Sequence, residues 1–196
     1  MIASTTDKIT SFEELLDPYS PPLTTLVEQL QYWEQKKGDE LAFSFLGDGD
    51  EISKSWTNRE LCVRARSVAA ELQNRNMKGE RVLLLYPPCI EFIEAFFGCQ
   101  FAGAIPVPAF PPRKSRNGAR IDLIAKDADA KLILTNRETA NRMDQATEDT
   151  VCLKNIPILV TEEIEDDYAA HYKPYLISRD EIGLLQYTSG STGSPK

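Results

Sequence analysis

The last ten residues, Tyr187-Thr-Ser-Gly-Ser-Thr-Gly-Ser-Pro-Lys196, concentrate groups able to hold a phosphate chain. Thr188, Ser189, Ser191, Thr192 and Ser194 supply five hydroxyls, while Gly190 and Gly193 let the backbone turn through positive φ. Successive peptide N–H groups in such a turn form an anion nest, and Lys196 adds a positive charge. Neutral donors with one mobile cation suit a polyphosphate. The order is not that of a Walker A loop, G-x-x-x-x-G-K-[ST], because Pro195 precedes the lysine. A flexible Ser/Gly tail has the same composition. Position favours the phosphate reading: residues 182–187 read as a buried apolar strand, and open α/β sheets bind ligands at the carboxyl ends of their strands.

The elements that would carry this loop follow from pattern and caps. Residues 1–22 read as an irregular lead-in ending in Tyr19-Ser-Pro-Pro22, and residues 23–196 as one continuous unit. Thr25-x-x-Glu28 is a capping box, predicting a helix with Leu26, Leu30 and Trp33 on one face and Gly38 as its stop. Residues 41–46 and 52–56 read as a small β-hairpin across Gly47-Asp-Gly-Asp50. A second capping box, Thr57-x-x-Glu60, opens a longer helix with Leu61, Ala65, Val68, Ala69 and Leu72 inward. The apolar run 81–86 suits a strand buried on both faces, and 90–101 a nearly all-apolar helix closed by Gly103. Residues 104–108 allow only a short strand, since Pro106 and Pro108 lack ladder donors. A Pro- and Arg-rich loop follows to 118, then helices at about 119–129 and 136–147 and strands at 131–135 and 156–160. This alternation predicts an α/β fold, a mainly parallel sheet with helices on both faces plus the N-terminal hairpin.

Composition narrows the classes. In 196 residues, 42% are hydrophobic and 27% charged, as in ordinary globular chains. A net charge of −8 speaks against general nucleic-acid binding. The four cysteines, Cys62, Cys89, Cys99 and Cys152, have no zinc or C-x-x-C spacing; Cys89 and Cys99 lie in apolar runs and read as buried thiols. No secretory signal and no transmembrane segment is visible, so a reducing, cytoplasmic setting is expected. His171 is the single histidine, which leaves no partner for a Ser-His-Asp or two-histidine metal site. The acidic run Glu162, Glu163, Glu165, Asp166, Asp167 and the basic run Arg113, Lys114, Arg116 both read as solvated loops, although the second could sit near a nucleotide or a carrier protein. Phe92, Phe96, Phe97 and Phe101 fall at helical spacing and read as core.

The unbroken string from Tyr187 to Lys196 resembles the phosphate-loop signature of the adenylate-forming superfamily. Leu85-Tyr-Pro-Pro-Cys-Ile-Glu-Phe-Ile-Glu-Ala-Phe-Phe-Gly98 and Ala102-Gly-Ala-Ile-Pro-Val-Pro108 resemble the fatty acyl-AMP ligases within it, as do Phe110-Pro-Pro-Arg113, Arg120-Ile121 and Asp127-Ala128. Cys89 stands where that family often has glycine. The resemblance implies the first third of an enzyme that uses ATP and Mg²⁺ to convert a fatty acid to acyl-AMP and pyrophosphate. The acyl group then passes to an acyl carrier protein or a polyketide or peptide synthase module. It also implies that Thr188, Ser189, Gly190, Ser191, Thr192, Gly193 and Lys196 hold the β- and γ-phosphates. The metal, adenine and catalytic lysine segments would lie downstream, so the fragment alone is expected to be inactive and no catalytic residue is assigned within it. A fatty acyl-CoA synthetase fragment, another nucleotide user such as a kinase or GTPase, and a non-catalytic truncated product are the alternatives.

Overall fold

In a computed structural model, the structure describes residues 25–47, 51–112, 118–146, 150–178 and 180–188. Both expected capping boxes are present. Thr25 Oγ1 accepts the Glu28 N–H while Glu28 accepts the Thr25 N–H, opening α1, Leu26–Lys37. Thr57 and Glu60 do the same for α2, Asn58–Asn74. Each box satisfies orphan donors of the first turn and so fixes where the helix begins. The buried face of α1 is Val27 and Leu30, whereas Leu26 is 52% exposed. Of the expected face Leu26, Leu30 and Trp33, Leu30 is buried and Trp33 half-buried, while Val27 replaces Leu26 on the inward side, where the Leu30 carbonyl accepts from the Cys62 thiol of α2.

Between these helices β1, Leu41–Leu46, pairs antiparallel with β2, Ile52–Thr57. Ala42 and Trp56 turn toward the main core, and Phe43, Leu46 and Ile52 remain exposed. After α2 come β3, Arg81–Leu85; α3, Glu91–Ala102; β4, Ile105–Ala109; α4, Gly118–Asp127; β5, Leu132–Thr135; α5, Arg137–Ala146; and β6, Ile158–Val160. The last four strands form one parallel sheet in the order β4-β3-β5-β6. Alternation along β3 divides the core: Val82 and Leu84 face α2 and α3, while Leu83 and Leu85 join α4 and Met143 of α5. Helices on both faces leave Val82, Leu83, Leu84 and Leu85 of β3 fully buried, which is why they read as a continuous apolar run.

Two backbone sites explain tight joints. Gly103 closes α3 at φ 68°, and a Cβ there would fall 2.5 Å from the Tyr175 ring. At the α2–α3 crossing, a Cβ on Gly98 would meet Val68 Cγ1 at 2.5 Å. The segment expected as a final strand, 182–187, is extended but belongs to neither sheet. The reason lies in β4. The Ile105 N–H points inward to the Glu80 carbonyl, so Pro106 and Pro108 present the outward edge and offer it no N–H. One bond, Leu185 N–H to the Pro106 carbonyl at 3.1 Å, is what that edge accepts.

Candidate functional site

The carboxyl ends of β3 and β4 open on a cleft of ≈ 630 Å³. Tyr86, Pro87, Pro88 and Cys89 enter it from β3, Phe92 from α3, and Pro108, Ala109 and Phe110 from β4. Arg120, Ile121 and Ile124 line the α4 side, and Gln186 and Tyr187 close it from the extended segment. A smaller cavity of ≈ 240 Å³ adjoins it, between the same prolines, Pro111 and Pro112, and Glu138, Thr139, Arg142 and Met143 of α5. Connections leaving β3 and β4 pass to opposite faces of the sheet, and a crevice at strand carboxyl ends between such connections is where open α/β sheets take ligands.

The cleft wall at β3 is held from behind. Tyr86 is 4% exposed; its ring meets Phe92 edge-on at 6.3 Å, and its hydroxyl pairs with Thr161 Oγ1 at 3.0 Å. Burial pushes the Tyr86 phenol well above its ordinary value, so it stays protonated. Thr161 in turn begins a 3-10 turn, Thr161–Glu163, fastened to the core by Arg64. The Arg64 guanidinium binds Glu94 through Nε at 3.0 Å and Nη2 at 3.2 Å, Asp166 and the Ile164 carbonyl through Nη1 at 2.7 Å, and the Thr161 carbonyl at 3.1 Å. Burial raises the pKa of the Glu94 carboxyl, and the Arg64 hydrogen bonds and charge oppose that rise. The acidic run is exposed as expected, yet its Asp166 is an anchor.

On the other side the extended segment carries the root of the expected phosphate loop. The Tyr187 hydroxyl donates to Asp127 Oδ2 at 2.5 Å, and Gln100 Nε2 donates to the Gly183 carbonyl at 2.5 Å. Burial, with the Asp127 carboxylate beside it, pushes the Tyr187 phenol up to about 12. Thr188 follows Tyr187 and is exposed. Ser189, Gly190, Ser191, Thr192, Gly193 and Lys196 lie outside the described residues, as do Arg113, Lys114 and Arg116. The segment before Thr188 is a tethered one, half-buried at Leu185 and Tyr187, rather than the buried strand expected there.

Of the remaining expectations, Phe101 is fully buried and Phe92, Phe96 and Phe97 are partly so, packed on the core. His171 is exposed with its ring against Tyr168. Cys99 is fully buried, but Cys89 is half-buried at the cleft, where burial pushes its thiol up to about 12. Arg120 is exposed on the cleft wall and makes no ion pair among the described residues. Sequence reading passed over Arg64 and Glu94, although a signal existed: opposite charges at inward positions of two otherwise apolar helical stripes, which burial tolerates only when paired.

Residues 30–196 match the family model for AMP-binding enzymes. The chain belongs to that family. Among curated relatives, it is 37% identical over 180 residues to the medium-chain-fatty-acid–[acyl-carrier-protein] ligase JamA of Moorena producens, covering 90% of this chain and 30% of JamA. It is 30% identical over 179 residues to the long-chain-fatty-acid–AMP ligase FadD32 of Mycolicibacterium smegmatis, covering 89% and 28%. Among solved structures, the fatty acyl-adenylate ligase from L. pneumophila, in complex with acyl adenylate and pyrophosphate, superposes with a TM-score of 0.80 at 31% identity, covering 89% of this chain and 30% of that one. The chain thus spans under a third of the length of these relatives. The adenylate-forming fatty acid ligases, resembled on the 85–128 wording and the terminal loop, are the proteins it is similar to. Among the described residues no helix is long and apolar enough to cross a membrane.

Proposed function

We propose that residues 23–196 are the N-terminal fragment of the adenylation domain of an ATP-dependent fatty acyl-AMP ligase, with 1–22 as a lead-in, working in the cytoplasm. The reaction joins a fatty acid carboxylate oxygen to the α-phosphorus of ATP and breaks the bond to the departing pyrophosphate. The acyl group of the resulting acyl-AMP passes to the thiol of an acyl carrier protein or synthase module. In this reading Thr188, Ser189, Gly190, Ser191, Thr192, Gly193 and Lys196 grip the β- and γ-phosphates and stabilise charge on the leaving group; none is a nucleophile. The cleft lined by Tyr86, Phe92, Ile121 and Ile124 offers a largely apolar surface next to Tyr187, and Arg120 is a cation on its wall. Bound Mg²⁺ would neutralise phosphate charge, but among the described residues no cluster of His, Cys, Asp or Glu is placed to hold it, so no step is assigned to it.

The observation that carries the proposal is the loop root at the rim of a carboxyl-end cleft in a chain 37% identical to a carrier-protein ligase. The test uses the full-length ligase, meaning residues 1–196 with the segment that continues them. ATP, a series of fatty acids and either CoA or a holo carrier protein are supplied, and AMP and thioester are followed. Fatty-acid-dependent AMP with loading of the carrier is expected, and residues 1–196 alone release no pyrophosphate. Formation of ADP would overturn the adenylating reading, and efficient acyl-CoA formation would overturn the acceptor.

A further inference from the structure

The carboxyl ends of β3, β5 and β6 are tied to one another by side chains as well as by the ladder. At the end of β5 the Thr135 hydroxyl donates to the Leu85 carbonyl at the end of β3. Just beyond β3 the Tyr86 hydroxyl pairs at 3.0 Å with Oγ1 of Thr161, the first residue after β6. Beyond β5 the first residue of α5, Arg137, donates its N–H to the Glu162 carboxylate and pairs its guanidinium with Glu163. Three consecutive residues of one short turn, Thr161–Glu163, therefore reach two different connections. Thr161 and Thr135 are fully buried, whereas Glu162 is exposed. The turn is fixed in its own place by Arg64, which donates to the carbonyls of Thr161 and Ile164. Asn136 Oδ1 accepts the Thr139 N–H at 2.9 Å, and Glu162 supplies a second acceptor that the first turn of α5 needs.

What the turn holds on each side is a cavity wall. Tyr86 leads into Pro87 and Pro88, which line both the cleft and the smaller cavity, while α5 supplies Glu138, Thr139 and Arg142 to the smaller one. The β3–β5 pairing ends at Leu85 and Thr135, so beyond it side chains carry the spacing of the two walls. We infer that the turn Thr161–Glu163 is a keystone that sets the gap between the Tyr86 wall and α5, with Thr161 and Glu162 acting as positioning residues for the substrate that the cleft takes; this rests on the ligase reading above. Both ends of the Tyr86–Thr161 bond are buried, so solvent cannot replace a lost partner, and the phenol must shift or stand unpaired. A site whose walls are held by such supporting bonds keeps its fit only while they are made. In this reading none of these residues touches the reacting atoms, so a displaced wall is felt in KM rather than in kcat.

The test compares Thr161→Val, Thr161→Ser, Tyr86→Phe, the Tyr86→Phe/Thr161→Val double variant and Glu162→Ala in the full-length ligase. Thr161→Val keeps the shape and loses the hydroxyl. It is expected to raise KM for at least one of ATP, fatty acid and acceptor by about 5-fold or more, with kcat within about twofold. Thr161→Ser, which keeps the hydroxyl, is expected to stay within about twofold of wild type, and the double variant to match Thr161→Val alone. All three KM values within about twofold in Thr161→Val, a loss carried by kcat alone, or losses that multiply in the double variant would overturn the keystone. The exposed Glu162 gives a variant that does not disturb the core: Glu162→Ala is expected to raise the same KM by about 2- to 5-fold, and an unchanged KM removes its positioning role. Alkylation of Cys89, the half-buried thiol on the same cleft wall, separates this from the ligase reading. Iodoacetamide is applied to the folded protein, and the Cys89 and Cys152 peptides are followed by mass spectrometry. Alkylation at Cys89 that is faster by about 5-fold or more in Thr161→Val, with Cys152 unchanged, supports the keystone even if the wild-type ligase forms no acyl-AMP; equal rates at Cys89 reject it.

Discussion

The two walls of the cleft are built on opposite principles. Behind β3, a guanidinium with its hydrogen-bonding groups engaged, a buried carboxylate and a close helix crossing over-determine where Tyr86 stands. Across the cleft, the segment 182–187 is held, among the described residues, by one backbone bond, two side-chain bonds and the packing of Leu185 and Tyr187 on the core. The contrast teaches that proximity to a sheet does not make a strand. An edge whose outward residues are both proline can accept but cannot donate, so a neighbouring segment gains only half a ladder. Buried hydrogen bonding is concentrated on one wall, behind β3.

The contrast can be broken first at its rigid wall. Glu94→Ala removes the buried carboxylate from Arg64 and leaves it only the more exposed Asp166 as an ion-pair partner, and is expected to cost about 3 kcal/mol, read as a fall in the urea midpoint. Gly98→Ala follows. Its new Cβ meets Val68 at 2.5 Å and the Ala65 carbonyl at 3.3 Å, an overpacking expected to cost about 1–3 kcal/mol in the same melts. Thr57→Ala removes a capping partner from α2 and is expected to cost about 1 kcal/mol, with amide exchange rising first at 58–60.

The smallest effect lies at the hairpin, where Lys54 Nζ meets Glu91 at 2.6 Å. Desolvation pushes the Glu91 carboxyl up, but the hydrogen bond and charge of Lys54 outweigh it and hold the group below its usual value. The sign follows. Stabilisation is present above the ordinary carboxylate pKa of about 4.3 and is lost as pH falls through the lower folded value. Glu91→Gln is therefore expected to cost less than about 1 kcal/mol at neutral pH, with the difference from wild type vanishing in acid.

What the sequence made legible was local. Thr25–Glu28 and Thr57–Glu60 are contacts three residues apart, and both formed as read because neither depends on a distant neighbour. The buried run in β3 and the stop at Gly103 were likewise set by nearby residues. Leu26 was misplaced because a helical stripe specifies which residues share a face, whereas the choice between adjacent stripes belongs to the packing helix, here α2. The segment 182–187 was misread because its partner edge carries its prolines some 80 residues upstream. The site followed the same rule: the loop composition was visible, whereas Arg64–Glu94 and Tyr187–Asp127 join residues 30 and 60 positions apart.

The central claim, that the loop beginning at Thr188 grips the phosphates of ATP during acyl-adenylate formation, is tested most directly by fatty-acid-dependent exchange of pyrophosphate into ATP. The full-length ligase and its Lys196→Ala variant are compared at matched folding, verified by melts that differ by less than about 1 kcal/mol. The account expects exchange that requires the fatty acid and falls on the order of 10²-fold in Lys196→Ala. Equal exchange by the two proteins, or wild-type exchange that ignores the fatty acid, would contradict it.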